Sequence, residues 1–345
     1  MSDLLYSELE EELRSGVRRA LRERADWQQV LAWTESGETA YSGLWKVVAA
    51  GLGTAGLAVP EDKGGAGASW REVAVVLEEL GRAAAPVPYF GSAVLGVAAL
   101  LEGDDPALLE AAASGERVVT LAVPFGAHRP GPQGPVVAGV ADAVTADVLL
   151  LPEEDGLYAY DASDVSVTPV VSLDQTRPLA DLDFTGASGR RVAGPETAGR
   201  AWTIGAALLA SEQLGVAEQC LETTVEYVKT RHQFARPIGS YQAVKHRLAD
   251  LWLTVAQARA AARYAASCAA TGDPDLAVAA AVAQSHCSEA ALRAAEECVQ
   301  LHGGIGFTWE APAHLWLKRA KALSLALGAP HRHRATLAEL VDLPL

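Results

Sequence analysis

Arg231-His-Gln-Phe-Ala-Arg-Pro-Ile-Gly-Ser-Tyr-Gln-Ala-Val-Lys-His-Arg-Leu-Ala-Asp250 sits in a cationic island within an acidic chain. Between Lys229 and Arg247 there are five Lys or Arg (Lys229, Arg231, Arg236, Lys245, Arg247), two His and no acid, whereas the 345-residue chain carries −15. Such a cluster is either a solvated helix face or a place for an anion. The local grammar favours the second reading. Periodic apolar residues before Arg231 predict an amphipathic helix. Pro237 lacks an amide donor and Gly239 tolerates positive φ, so the helix breaks there. Ser240 reads as the N-cap of the next helix, with Gln242 in its first turn. Arg231, Gln233 and Phe234 then lie at one helix end, facing the start of the next. Arginine forks and helix N-termini together suit a pyrophosphate.

A second island runs from Ala311 to Ala338, with Lys318, Arg319, Lys321, Arg332, Arg334 and no acid. His331 and His333 stand beside these arginines. Two residues apart, they do not share a helix face, which argues against a metal.

The Arg231–Asp250 stretch resembles the C-terminal signature of acyl-CoA dehydrogenases, FAD enzymes that introduce an α,β double bond into acyl-CoA thioesters. Gln300-Leu-His-Gly-Gly-Ile-Gly-Phe-Thr-Trp-Glu310, followed by Lys318-Arg-Ala-Lys321, resembles a second C-terminal motif of that family. Leu57-Ala-Val-Pro-Glu-Asp-Lys-Gly-Gly-Ala-Gly67, with Glu78-Glu-Leu-Gly81 after it, resembles the N-terminal one, a loop and helix that help wall the acyl pocket. By itself Gly303-Gly-Ile-Gly306 is a weak phosphate signal, because no strand precedes it. Its weight comes from its place in the family motif. The resemblance implies that Arg231, Gln233, Phe234, Gln242, Gln300, Gly303 and Gly304 hold the pyrophosphate and adenosine of FAD. It also implies that the FAD tail crosses a subunit interface to a ring seated in the neighbour. His302 reads as a structural hydrogen-bonding residue rather than an acid or base.

The catalytic part of the family pattern is broken. Its usual base is a Glu followed by Gly-Thr in a loop after the Lys318-like run; that position falls on Leu327, before Gly328. Some members place the base early in the first bundle helix, which here falls on Gly205. Neither residue accepts a proton. Glu212 and Glu218 lie seven or more residues along the same helix, roughly 10 Å away or further. They are alternative bases, or else solvated or interface carboxylates. The loop expected to touch the flavin ring reads Val119-Thr-Leu-Ala-Val-Pro-Phe-Gly126, and a Trp-Ile-Thr-like strand is not found.

Composition is ordinary for a soluble globular protein: 50% hydrophobic and 21% charged residues. No run of 18 or more apolar residues predicts a membrane span. The opening residues lack a signal-peptide core, which points to the cytoplasm. The acidic balance argues against nucleic acid. The four cysteines (Cys220, Cys268, Cys287, Cys298) fall in helical patterns without CxxC and read as buried free thiols.

Periodicity predicts an α+β fold in three domains: an N-terminal helical domain (1–115), a middle antiparallel β domain (116–194) and a C-terminal antiparallel four-helix bundle (195–345). Residues 3 to 32 read as one helix, and Trp45 to Leu52 as another. Ser69 and Glu72 form a capping box for a helix that Gly81 closes. Asp273-Pro274 reads as a cap with Pro at the first helical position. Bundle helices near 240–301 carry Leu248, Leu251, Leu253, Val255, Leu276, Val278 and Val282. One apolar face closes the chain's own bundle and another is free for a neighbour's.

The expectation is a subunit of an FAD-dependent acyl-CoA dehydrogenase that completes a homologous partner's flavin site in an α2β2 assembly. Its substrate would be an acyl-CoA, either fatty or steroid side-chain, and its electrons would pass to an electron-transfer acceptor. The steroid class follows from the resemblance to heteromeric actinobacterial members. The alternatives are a self-sufficient dehydrogenase with a displaced Glu and a flavin-free acyl-CoA-binding scaffold. The acyl chain, the acceptor and the partner's identity are not legible in the sequence.

Overall fold

A computed structural model describes residues 4–36 and 41–342. Helices come first: α1 (Glu8–Arg24), α2 (Trp27–Ser36), α3 (Tyr41–Trp45), α4 (Trp70–Ala83), α5 (Val97–Leu101) and α6 (Pro106–Ala113). The expected helix over 3–32 is two helices, and residue 3 lies outside the described residues. Ser7 and Glu10 form a capping box that starts α1. Asp26 stops it by accepting the Gln29 amide at 2.8 Å and starting α2 in a new direction. The helix expected from Trp45 is instead a π-helical turn, Lys46–Gly51, after α3.

The Ser69–Glu72 box starts α4 as expected. Gly81 does not close it, because the left-handed residue is Ala84 (φ 45°). Gly81 serves close approach instead: a Cβ there would lie 2.2 Å from the Glu212 carbonyl oxygen. On the facing helix, a Cβ on Gly215 would lie 1.9 Å from the Glu78 carbonyl oxygen. The two glycines let two helix backbones touch.

Seven strands follow: β1 (Val119–Leu121), β2 (Val136–Ala141), β3 (Val148–Glu153), β4 (Gly156–Asp161), β5 (Ser166–Val170), β6 (Leu179–Asp183) and β7 (Arg190–Ala193). They form two sheets, ordered β1-β3-β4-β7 and β2-β6-β5. All pairs are antiparallel except β1 with β3, which is parallel. The chain passes through β2 in the other sheet before β3, so a crossover replaces a hairpin. Val137, Leu149, Leu151, Ala180, Leu182 and Phe184 fill the space between the sheets.

The C-terminal part contains α7 (Thr197–Thr230), a hairpin of β8 (His232–Gln233) and β9 (Arg236–Pro237), α8 (Gln242–Thr271), α9 (Leu276–His302), α10 (Ala313–Leu323) and α11 (Pro330–Leu340). They form the expected C-terminal helical bundle, with three long helices and two short ones. Gly272 ends α8 in the left-handed conformation (φ 61°). Asp273 accepts the Asp275 amide at 2.9 Å, so Pro274 belongs to the turn before α9 and not to its first position. All four cysteines are buried and free. Among the residues expected to form the bundle faces, Leu251 and Val255 are buried, whereas Leu253 and Val282 face solvent, as does Trp252. No described helix is long and apolar enough to cross a membrane.

The N-terminal segment is held to α4 and α8 through one buried carboxylate. Tyr6 donates its hydroxyl to Glu78, Arg14 donates at 2.6 Å, and Arg263 approaches to 3.7 Å. Burial and the charge of Glu218 push Glu78 up to about 7. A carboxyl whose pKa is raised on folding favours the folded state as pH falls from about 7 towards its ordinary range. His333, pulled down to about 4 by burial, works in the opposite direction. The Glu78 contribution is therefore read as a difference. Relative to wild type, Glu78→Gln is expected to gain stability on going from pH 5.5 to pH 8, by on the order of 2 kcal/mol. Thermal melts of both proteins at both pH values check this, and a pH-independent difference would refute it.

Candidate functional site

The predicted dinucleotide residues meet at one end of the bundle, where α7 ends, α8 begins and α9 ends. The Tyr227 ring stacks on His302 at 4.2 Å, and its hydroxyl donates to the His302 carbonyl at 3.2 Å. This contact ties the hairpin after α7 to the Gly303-Gly304 turn after α9. His302 has the expected structural role, its Nδ1 lying 2.6 Å from the Cys298 carbonyl oxygen. Arg231, Gln233, Phe234, Gln242, Gln300, Gly303 and Gly304 are all exposed there. Phe234 and Ala235 form the hairpin turn with positive φ (51° and 65°), which points the Phe234 ring outward, 89% exposed. Phe307, 78% exposed, and Trp309, 58% exposed, stand just past the glycine turn.

Ser240 is not the N-cap. Its hydroxyl donates back to the Pro237 carbonyl at 2.7 Å, and Tyr241 occupies the cap position with no side-chain hydrogen bond. The first-turn amides of a 30-residue helix are thus left without a side-chain acceptor. Arg231 and Lys245 form no ion pair among the described residues, and Arg236 lies over the Tyr241 ring at 3.8 Å. Open helix amides beside exposed cations suit a diphosphate.

The two base positions come together, although 122 residues separate them in sequence. A Cβ on Gly205 would lie 2.4 Å from Leu95 Cδ2 and 3.5 Å from both Leu327 Cδ2 and Phe90 Cζ. Leu327 is 0% exposed. Its amide donates to the Phe125 carbonyl at 2.8 Å, joining the base loop directly to the loop expected to touch a flavin ring. Behind it, His333 donates to the Leu327 carbonyl at 3.0 Å and packs edge-on against His128 at 4.6 Å. With His333 turned inward and His331 exposed, the pair does not share a face.

Glu212, an alternative base, has neither of its expected roles. Its carboxylate lies between Arg319 at 2.6 Å and Arg177 at 2.8 Å, all three side chains buried. Arg319 also reaches Asp174 at 2.8 Å and the Thr176 carbonyl at 3.0 Å, while Arg177 lies over the rings of Phe90 (5.5 Å) and Phe125 (5.4 Å). Burial alone would raise the Glu212 carboxyl, but the flanking arginines outweigh it and hold it below the usual carboxylate range. Such a group is a poor proton acceptor. Glu218 is likewise committed, to Arg259 at 2.9 Å and Arg82 at 3.3 Å. Arg319 of the second cationic island is therefore an internal strut and not a phosphate ligand. Sequence reading missed Asp174, Arg177, Phe90, Leu95 and His128. Only Asp174-Gln-Thr-Arg177 carried a local signal, as a charged pair in a turn.

Residues 7–104 match the acyl-CoA dehydrogenase N-terminal domain and residues 193–341 the acyl-CoA dehydrogenase C-terminal domain. The chain belongs to the acyl-CoA dehydrogenase family. It is 40% identical to acyl-CoA dehydrogenase IpdE2 of Mycobacterium tuberculosis, over 83% of each chain. It is also 40% identical to acyl-CoA dehydrogenase FadE34 of that organism, over 82% of this chain but only 40% of FadE34's length. Among solved structures, it superposes on a chain of the ChsE4-ChsE5 complex from M. tuberculosis with TM-score 0.90 and 28% identity, covering all of this chain and all of that one. It superposes on the Tcur3481-Tcur3483 steroid ACAD (G363A variant) with TM-score 0.85 and 30% identity, covering 97% and 98%.

Family membership makes FAD the expected cofactor, and its two ends fit this chain differently. The diphosphate end has an uncapped helix, exposed cations and a glycine turn. At the other end, the two loops expected to flank a ring are hydrogen-bonded to each other through the Leu327 amide and the Phe125 carbonyl, and Leu95, Phe90 and Leu327 crowd the Gly205 position, where a base would face the thioester.

Proposed function

We propose that this chain is the non-catalytic subunit of a cytoplasmic, heteromeric FAD-dependent acyl-CoA dehydrogenase. Arg231, Gln233, Phe234, Gln242, Gln300, Gly303 and Gly304 hold the diphosphate and adenosine of an FAD whose ring lies in a homologous partner, within an α2β2 tetramer. The bound FAD supplies the hydride acceptor for α,β-dehydrogenation of a thioester in the partner's site. This chain's residues bind and orient the dinucleotide and move no proton. The contact that supports this reading is the Leu327 amide on the Phe125 carbonyl, which joins the two loops that would flank a ring in this chain. The likeness to the ChsE4-ChsE5 complex supports a homologous partner, and the steroid ACAD supports a steroid-derived acyl-CoA as substrate. The double pairing of Glu212 weighs against a self-sufficient enzyme with a displaced base.

Co-expression with a homologous acyl-CoA dehydrogenase subunit from the same genome tests it. Two FAD per four chains are expected, with no thioester-dependent flavin bleaching by this chain alone; four FAD per tetramer would overturn the proposal. Arg231→Ala is expected to weaken FAD retention by the complex by roughly 1.5–3 kcal/mol, about tenfold or more, through loss of a charge-assisted contact. Unchanged flavin content after dilution and gel filtration would remove Arg231 from the site.

A further inference from the structure

Cys220 and Tyr227 are seven residues apart on α7 and so share a face, as do Cys298 and His302, four apart on α9. The structure packs these two faces together where both helices finish, and the Tyr227–His302 stack closes the packing at its outer end. Ala291, Ala294 and Ala295, all buried, are the small side chains of α9 that let α7 approach. Cys220 and Cys298 are buried and free, and their side chains hydrogen-bond to each other across the helix pair. His302 Nδ1 lies 2.6 Å from the Cys298 carbonyl oxygen and 3.7 Å from the Cys298 sulfur. A carbonyl only accepts, so this nitrogen carries a proton, and the proton lies beside the sulfur.

This arrangement separates Cys298 from the other three cysteines. The Cys220 thiol and then His302 favour a thiolate at Cys298 and hold it below the usual thiol range, against the effect of burial. Burial raises Cys220, pushes Cys287 up to about 12 and raises Cys268 as well. Cys287 donates to the Ala258 carbonyl at 3.4 Å and has no second thiol beside it among the described residues. A stabilised thiolate next to a second thiol is the arrangement that reacts with a peroxide and then resolves to a disulfide. Cys298 also lies only one helical turn inside the exposed Gly303-Gly304 turn, so the way in, past His302, suits a small oxidant.

We propose that Cys298 is a peroxide-reactive modification site, with Cys220 as its resolving thiol and His302 as the residue that positions the reactive sulfur. The Cys298 sulfur attacks one oxygen of hydrogen peroxide, the O–O bond breaks, and the departing hydroxide takes up the proton Cys298 gave up, leaving a sulfenic acid and one water. The Cys220 sulfur then displaces the sulfenic hydroxyl, which leaves with the Cys220 proton as a second water. One peroxide is reduced, two thiols are oxidised, and the disulfide crosslinks α7 to α9. The test treats the reduced full chain with hydrogen peroxide, blocks the remaining thiols by alkylation and maps the peptides by mass spectrometry. A Cys220–Cys298 crosslink is expected first, reversible by dithiothreitol, with Cys268 and Cys287 still alkylated and circular dichroism unchanged. Bulky cumene hydroperoxide is expected to react about tenfold more slowly or worse, because access is past a buried side chain. In Cys220→Ser, or in Cys220→Ala if the serine loosens the helix pair, oxidation is expected to stop at a sulfenic acid on Cys298 that dimedone traps. His302→Asn is expected to slow the crosslink about tenfold without changing which cysteines react. Oxidation of Cys268 or Cys287 as fast as Cys298, a crosslink that forms only as circular dichroism is lost, or no crosslink in the wild-type chain would overturn the proposal.

Discussion

Glu212→Ala is expected to destabilise the chain by about 3–5 kcal/mol, enough to bring a domain of ordinary stability to the edge of unfolding. The mutation removes little apolar contact. Its effect comes from stranding Arg177 and Arg319, two buried guanidiniums that share this carboxylate as an ion-pair partner. Asp174 compensates for part of Arg319, and the buried Asp142 for part of Arg177. Denaturant titration measures the effect directly, and a loss below about 1 kcal/mol would show that water reaches the arginines. The same experiment separates structure from catalysis. Were Glu212 a displaced base, the alanine variant would keep its stability and lose only turnover.

Leu327→Glu, which restores the family's usual base by name, is expected to yield no activity and to cost several kcal/mol. The position is fully buried and its side chain packs towards Gly205. No described cation pairs with that point, so an ionised carboxylate there would be uncompensated. Melting temperature and flavin bleaching of the co-expressed complex provide the readouts. A stable variant that binds more than two FAD per tetramer and is bleached by acyl-CoA would show that the space opens easily and that the closed site has been misread.

These two predictions mark where the sequence was informative. The three-part α+β architecture was legible because long 3.6-residue periodicity and short β-branched runs occupy different stretches. That Arg231, Gln233, Phe234, Gln242, Gln300, Gly303 and Gly304 gather at one end of the bundle was legible because they crowd into two short motifs. Ser240 misled, since a serine before a helix can turn its hydroxyl backward to Pro237 as readily as forward. Gly81 misled because a glycine near a helix end also serves backbone contact, here with α7. The single-helix reading of 3–32 failed on Asp26, a residue that caps as well as it solvates. The plug at the base position was beyond local pattern: Leu95, Gly205 and Leu327 belong to three distant segments. Glu212 was misassigned for the same reason, since Arg177 and Arg319 are 35 and 107 residues away.

The outward rings of Phe234, Phe307, Trp309 and Trp252 bear on the chain's life in the cell. Aromatic surface of this kind is what chaperones and proteases treat as unfinished folding, and at high concentration it drives aggregation. In the proposed heteromer, a chain made in excess of its partner is expected to be cleared or to precipitate, and its abundance then follows the partner's supply more than its own rate of synthesis.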